Sequence, residues 1–280
     1  MGLIPCPPRL RGDLLSLLHA NRKTCAAFLE RAEASGGGTS GEALVFLDDG
    51  IRGALFAAGE GALFHCLPHV TGGDFRAAAA PLLSDFFARR SPYCMLGDLG
   101  GTRFLGEFRR AGSLLAAREY VLMEAVPPVP EAVTPPVAEC TPEDAEALFP
   151  LRRAYELEEV YPPGLPFSEE AMRKNLSALL ASRRVLGIPR DDRKGEFAAM
   201  GVINGSARGI IQIGGMFTLG EFRSRGYARA IAGCFARRAL NQGMEAVLFA
   251  GTSNTPAIRA YSHAGFVPCG GFGINYYAAF

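Results

Sequence analysis

Arginine and glycine crowd the stretch F-R-S-R-G-Y-A-R-A, Phe222 to Ala230, which follows the apolar run Ile210 to Thr218 and opens an amphipathic segment. A strand that enters a helix leaves the first helical N–H groups without intrahelical partners, all pointing one way. The helix dipole adds partial positive charge at that end, and Arg223, Arg225 and Arg229 add whole charges. Gly226 has no Cβ to keep a bulky phosphate from the backbone, and Ala228 keeps the next turn small. These residues suit a pyrophosphate, with a solvated basic turn as the competing reading. Downstream, N-T-P-A-I-R-A-Y-S-H-A-G-F places Asn254, Ala257, Ile258, Tyr261 and Gly265 at i, i+3, i+4, i+7 and i+11. That spacing is one face of a helix, so Tyr261 lies on the side of Asn254.

These residues need elements to hold them. The helix expected over Tyr227 to Asn241 carries Ala228, Ile231, Ala232, Phe235 and Ala239 as one apolar stripe, with Arg229, Arg237, Arg238 and Gln242 off it. It can therefore pack on a sheet and still present its N-terminus, and Gly243 stops it. Before it, a helix opens at Pro142 to Leu148 behind the Thr141 cap, and a second covers Ser168 to Ser182. A strand over 196–204 is expected to turn at Asn204-Gly205 into Ile210–Thr218. Strand 246–250, helix Thr255 to His263 and strands around 266–267 and 275–279 complete this half.

The first half has the same order. A helix is expected from Asp13 to Ala34, then a loop S-G-G-G-T-S-G, then strands 43–47, 53–57 and 62–67, the first pair joined through Asp49-Gly50. A helix from Asp74 to Arg89, strand P-Y-C-M-L, a helical piece near Thr102 to Arg110 and strand E-Y-V-L-M-E-A come next. Between the halves, V-P-P-V-P-E-A-V-T-P-P-V can be neither helix nor central strand, because proline lacks an N–H and fixes φ. The expected organisation is a domain over 1–125, an extended linker over 126–137 and a domain over 138–280. Each is α/β in composition, and the parallel order suggests duplication of one unit.

Composition limits the partners. The 280 residues are 49% hydrophobic and 20% charged, with a formal net charge of +1, so no nucleic acid or anionic membrane is expected as a partner and any anion site is local. No stretch is long and apolar enough to span a bilayer. The 7 scattered cysteines, without a C-x-x-C pair, fit reduced thiols and a cytoplasmic location. H-C-L-P-H brings His65, Cys66 and His69 close in sequence, but no second cluster completes a metal site, and none is expected. Nothing recruits a cysteine as nucleophile.

The segment at 223–228 resembles motif A of the GCN5-related N-acetyltransferase (GNAT) family, [QR]-x-x-G-x-[GA], with Arg223, Gly226 and Ala228 in the specified positions. N-T-P-A-I-R-A-Y-S-H-A-G-F is similar to the family's N-x-x-A-I-x-x-Y-x-x-x-G-F, matched by Asn254, Ala257, Ile258, Tyr261, Gly265 and Phe266. Many members carry a glycine where this chain has Ser224, and a proline where it has Gly220. The resemblance covers roughly 137–280 and implies two acetyltransferase-like domains, each a mixed, mostly antiparallel sheet flanked by helices. The first copy would be degenerate, since Asp74 at its helix start repels a pyrophosphate and it lacks the second motif.

The resemblance implies that acetyl-CoA is the co-substrate and a small-molecule or peptide amine the acceptor, attacking the thioester directly. Arg223, Ser224, Arg225, Gly226, Tyr227, Ala228, Arg229 and Asn254 would bind the cofactor, and the backbone of Met216, Phe217 and Thr218 would hold the pantetheine arm and polarise the thioester. Gly214-Gly215 would allow the bulge that splays the strands apart. Tyr261, a phenol protonated at neutral pH, would donate to the leaving thiolate. Glu158 and Glu159 lie in Y-E-L-E-E-V-Y-P-P-G, the loop region that borders the acceptor cleft in the family, and are candidates for a base acting through water. An acyl-CoA sensor without turnover and an aminoacyl transferase of tandem fold are the alternatives.

Overall fold

The computed structural model describes residues 1–34, 41–59, 61–130 and 135–278. The expected loop at 35–40, part of the proline-rich segment and the end of the closing strand lie outside them. The chain forms two units, Met1–Val121 with Gly270–Phe280, and Leu122–Cys269. The division thus falls before the proline-rich segment rather than in it. The last strand of the chain joins the first unit, not the domain expected over 138–280.

The first unit starts with β1 (Gly2–Pro5), α1 (Arg11–Ala20) and α2 (Arg22–Ala34). Two helices thus replace the single one expected from Asp13; the break is at Asn21, whose side-chain amide donates to the Leu17 carbonyl and competes with the helix ladder. The meander β2 (Gly41–Leu47), β3 (Ile51–Ala58), β4 (Ala62–Cys66) comes next, then α3 (Gly73–Arg89), β5 (Cys94–Asp98) and α4 (Leu99–Gly106). β2 and β3 turn at Asp48–Gly50, as the Asp-Gly pair predicts. β4 and β5 run parallel. The chain's terminal strand pairs antiparallel with β5, from Phe272 opposite Asp98 to Tyr276 opposite Cys94. Leu44, Phe46, Leu63, Phe75, Leu83 and Tyr277 are among the side chains of its core.

From β6 (Leu114–Ala125) the chain enters the second unit: β7 (Ala138–Glu139), α5 (Ala145–Tyr155), α6 (Glu169–Ala181), β8 (Val185–Pro189), β9 (Phe197–Ala207) and β10 (Ile210–Thr218). Then come α7 (Tyr227–Asn241), β11 (Glu245–Gly251), α8 (Thr255–His263) and β12 (Phe266–Tyr277), whose later residues are the terminal strand already described. The sheet order is β11-β10-β9-β8-β7, with only β10 and β11 parallel. Leu148, Leu151, Met172, Leu176, Met200 and Phe217 pack α5 and α6 on the sheet, while α7 covers β9, β10 and β11.

The closing strands expected around 266–267 and 275–279 are one strand, β12, and two further expectations change here. Asn204-Gly205 is not the β9–β10 turn: Asn204 is the extra residue of a bulge, and the chain reverses at Arg208-Gly209, where Gly209 has φ +79°. The second change concerns Glu156–Val160, expected to lie in a loop, which continues α5 as a π turn closed by the Tyr161 N–H donating to the Glu156 carbonyl at 2.8 Å.

Candidate active site

The phosphate-loop candidate is built from two left-handed residues. After the single helical turn Gly220–Phe222, Arg223 is extended, Ser224 has φ +65° and Gly226 has φ +79°, and α7 begins at Tyr227. Phe222 anchors the loop: it is buried, stacks on Tyr227 at 6.1 Å, and carries the guanidinium groups of Arg190 and Arg225 on its ring at 4.9 and 5.1 Å. The first helical hydrogen bond runs from the Ala230 N–H to the Gly226 carbonyl, so the N–H groups just before it have no acceptor within the helix. No side chain caps this end, and no acidic residue stands in its first turn. No atom lies within 4 Å of where a Cβ on Gly226 would be. Open space, bare donors and basic residues make this end fit an anion such as a pyrophosphate.

Next to it the sheet opens. The parallel β10–β11 ladder covers Ile210–Ile213 against Glu245–Leu248, although both strands run further. At that point β10 bulges against β9: Gly214 pairs with Val202 and Phe217 with Met200, with Gly215 at φ +55°. The glycines are needed. A Cβ on Gly215 would lie 2.8 Å from Val202 and 3.0 Å from Arg152 Nη1, and one on Gly214 would meet the Asn204 amide. The Leu219 N–H donates to Ala198 in β9, so by strand alternation Met216 and Thr218 turn their backbone groups to the other edge, the one that faces the opening.

Tyr261 stands on α8, which Asn254 caps by accepting the Ala257 N–H at 3.1 Å. Its ring is buried and packs edge-on to Phe266 at 6.5 Å. Burial raises the phenol pKa above its ordinary value, and the nearby Tyr155 and Glu159 add to the shift. The hydroxyl thus stays protonated across the physiological range.

The π turn distributes its acids to three places. Glu158 is bound to Arg223, whose Nη2 lies 2.8 and 2.9 Å from its two carboxylate oxygens. Glu159 adds the smallest of the three causes that raise the Tyr261 pKa, through its charge. Glu156, absent from the candidates that the sequence offers, is buried with Arg152 at 2.5 Å. Burial raises the Glu156 pKa, and Arg152 opposes the shift. Arg152 has Nε and Nη1 without hydrogen-bond partners, the latter beneath the bulge at Gly215. The only sequence signal for this pair is an Arg and a Glu at i and i+4, which more often marks an exposed helix face. His65, weighed with Cys66 and His69 for a metal site, is buried in the first unit with Nε2 2.8 Å from Thr102 Oγ1.

A parallel strand pair that splays beside a bulge, with a bare helix N-terminus at its mouth, is the architecture of the acyl-CoA-dependent acetyltransferases. Residues 151–266 match the model of the acetyltransferase (GNAT) family. Similar solved structures span essentially the whole chain. A GNAT-family acetyltransferase from Colwellia psychrerythraea has TM-score 0.60 at 12% identity, covering 100% of both chains. A GCN5-related N-acetyltransferase from Sphaerobacter thermophilus has TM-score 0.61 at 15% identity, covering 98% of this chain and 94% of its own. The tandem GNAT protein from the clavulanic acid biosynthesis pathway has TM-score 0.53 at 16% identity, covering 99% and 98%. At these identities the likeness is one of fold. No curated protein matches the chain. No helix among the described residues is long and apolar enough to cross a membrane.

Proposed function

We propose that the second unit is an N-acetyltransferase that moves the acetyl group of acetyl-CoA to a primary amine by direct attack, without a covalent enzyme intermediate. The observation that carries this reading is the splay of β10 from β11 beside the bare N-terminus of α7. In it, the backbone from Arg223 to Arg229, with the side chains of Arg225 and Arg229, holds the pyrophosphate. Met216 and Thr218 hold the pantetheine arm through main-chain groups, while the main-chain groups of Phe217, which pairs with Met200, turn to β9. Asn254 fixes the start of α8 and so the place of Tyr261. Acetyl-CoA supplies the activated thioester. Tyr261 gives its proton to the leaving sulfur, and Glu159 takes the proton of the amine through water. Glu158 is the weaker candidate for base, since Arg223 holds both of its oxygens. The free thiols of the described cysteines fit a reducing compartment, and a cytoplasmic site of action belongs to this reading.

The first unit, in the same reading, does not take acyl-CoA. Its corresponding helix, α3, has Asp74 in the first turn. The residue seven places after the α4 cap, where α8 has Tyr261, is the buried Leu105.

Thiol release from acetyl-CoA across a panel of amines (arylalkylamines, amino acids, polyamines and peptides) tests the activity. Tyr261→Phe is expected to cut kcat by about 100-fold while leaving CoA affinity unchanged, since the hydroxyl is needed only for the leaving group. Because the phenol pKa is raised, the proton is retained as pH rises, and the rate should hold to at least about pH 9. An unchanged kcat in Tyr261→Phe would remove Tyr261 from the chemistry. CoA binding without thiol release from any amine would favour a sensor without turnover.

A further inference from the structure

Arg223 is the specified basic residue of the phosphate-loop motif, yet its side chain does not point to the bare end of α7. Its Nε donates to the Thr218 carbonyl at 3.1 Å, its Nη2 binds both oxygens of Glu158, and its guanidinium lies 5.6 Å from the Phe217 ring centroid. Thr218 ends the strand that borders the opening, and Glu158 belongs to the π turn. One side chain therefore ties the loop before α7, the end of β10 and the π turn together. On its neighbouring positions that turn also carries Glu159, the candidate base, and Glu156, whose partner Arg152 lies beneath the bulge.

We propose that Glu158 and Arg223 are a positioning pair for acyl transfer: filling the phosphate loop with the cofactor holds the π turn 156–160 in place through Arg223, and with it Glu159, the next residue of that turn. The inference rests on the acyl-CoA reading of this site. A π turn is suited to such a role, because it is a rare single-turn insertion in an α-helix and recurs at functional sites. The pair is half exposed, with Arg223 and Glu158 side chains 51% and 47% accessible, so its effect on cofactor affinity is small and its effect on the turn is the readout.

The chain has no tryptophan, which makes a reporter simple to install. Leu157, in the turn and 46% exposed, is the position for Leu157→Trp. Titrating CoA into the full-length variant should shift the tryptophan emission in step with the calorimetric binding curve. In Leu157→Trp/Glu158→Gln the shift should be lost while the CoA Kd changes by no more than about threefold. Hydrogen exchange on the protein without the tryptophan gives the second readout: CoA should protect amides 156–161 in the original chain and fail to do so in Glu158→Gln. CoA that binds without moving the reporter or the amides, or a shift that survives Glu158→Gln, overturns the positioning pair alone. Absence of CoA binding to the original chain overturns the acyl-CoA reading and the pair with it.

Discussion

In the second unit the parallel ladder ends at Ile213 and Leu248, and past these residues lie a bulge at Gly215 and an open strand edge. In the first unit the matching ladder ends at Phe64 and Leu96, and the next side chain, His65, fills the corner beyond it. The imidazole lies where Cβ atoms on Gly97 and Gly101 would sit, so both glycines serve to admit it. Its Nδ1 stands 3.5 Å from Asp98 Oδ2, and Thr102, which holds its Nε2, donates to the Gly273 carbonyl of the terminal strand at 3.2 Å. Asp98 caps α4 through the Gly101 N–H at 2.7 Å, as Asn254 caps α8 through Ala257. The two units therefore share a frame down to the cap. What differs is the use of glycine: in one it bulges a strand away from its neighbour, in the other it closes a corner around a side chain.

Exchanging the distinguishing residues would sharpen or break this comparison. The largest effect is expected from Ala228→Asp, which gives α7 the acid that Asp74 gives α3. A carboxylate at the helix N-terminus should weaken CoA binding about 100-fold, roughly 2.7 kcal/mol, by calorimetry, with the melting temperature of the free protein little changed.

Next come the glycines. Gly215→Ala must hold a left-handed φ and press its methyl on Val202 and Arg152, and should cost about 2–3 kcal/mol in a denaturant titration. Gly97→Ala presses on the His65 ring and should cost a similar amount, but without altering CoA affinity in the remaining folded protein. If Gly97→Ala weakens CoA binding instead, the division of roles between the units is wrong.

A smaller effect of opposite sign is expected at Ser224. The side chain there is held in a left-handed conformation that glycine adopts freely. Ser224→Gly should raise stability by about 1 kcal/mol, measured by chemical denaturation, and leave the loop able to bind CoA.

The smallest is a pH effect in the first unit. Burial raises the Asp98 pKa, but the His65 contact and the N–H groups of Gly101 and Leu67 outweigh it and leave the carboxyl below its ordinary value. A lowered carboxyl pKa stabilises the fold above the unfolded-state value, near pH 4, and the benefit is lost as pH falls through the folded value. Asp98→Asn, which keeps a capping oxygen, should therefore be less stable than the original chain at pH 7 and converge with it in acid. A constant gap at all pH values would show that the charge is not what stabilises this corner.

What the sequence made legible was local. Arg223, Gly226 and Ala228 sit within a single loop and turn, and the cap Asn254 and Tyr261 share one helix face, so spacing alone was enough to group them. The Gly214-Gly215 bulge was readable because paired glycines in a strand have few other uses. The remainder depended on contacts between distant residues. Nothing in E-L-E-E-V marks a π turn, since the i to i+5 bond has no side-chain signature. Asn204-Gly205 has the chemistry of a hairpin turn, but the pairing of β9 with β10 makes it a bulge. That Arg152 and Glu156 are buried follows from the bulge above them, and that the last strand completes the first unit follows from its register with β5.

The most direct test is the number of CoA sites per chain. Calorimetric titration of the full-length protein with acetyl-CoA should give a single site, and Ala228→Asp should abolish it at the same concentrations. Two sites per chain, or one that survives Ala228→Asp, would contradict the assignment of cofactor binding to the second unit.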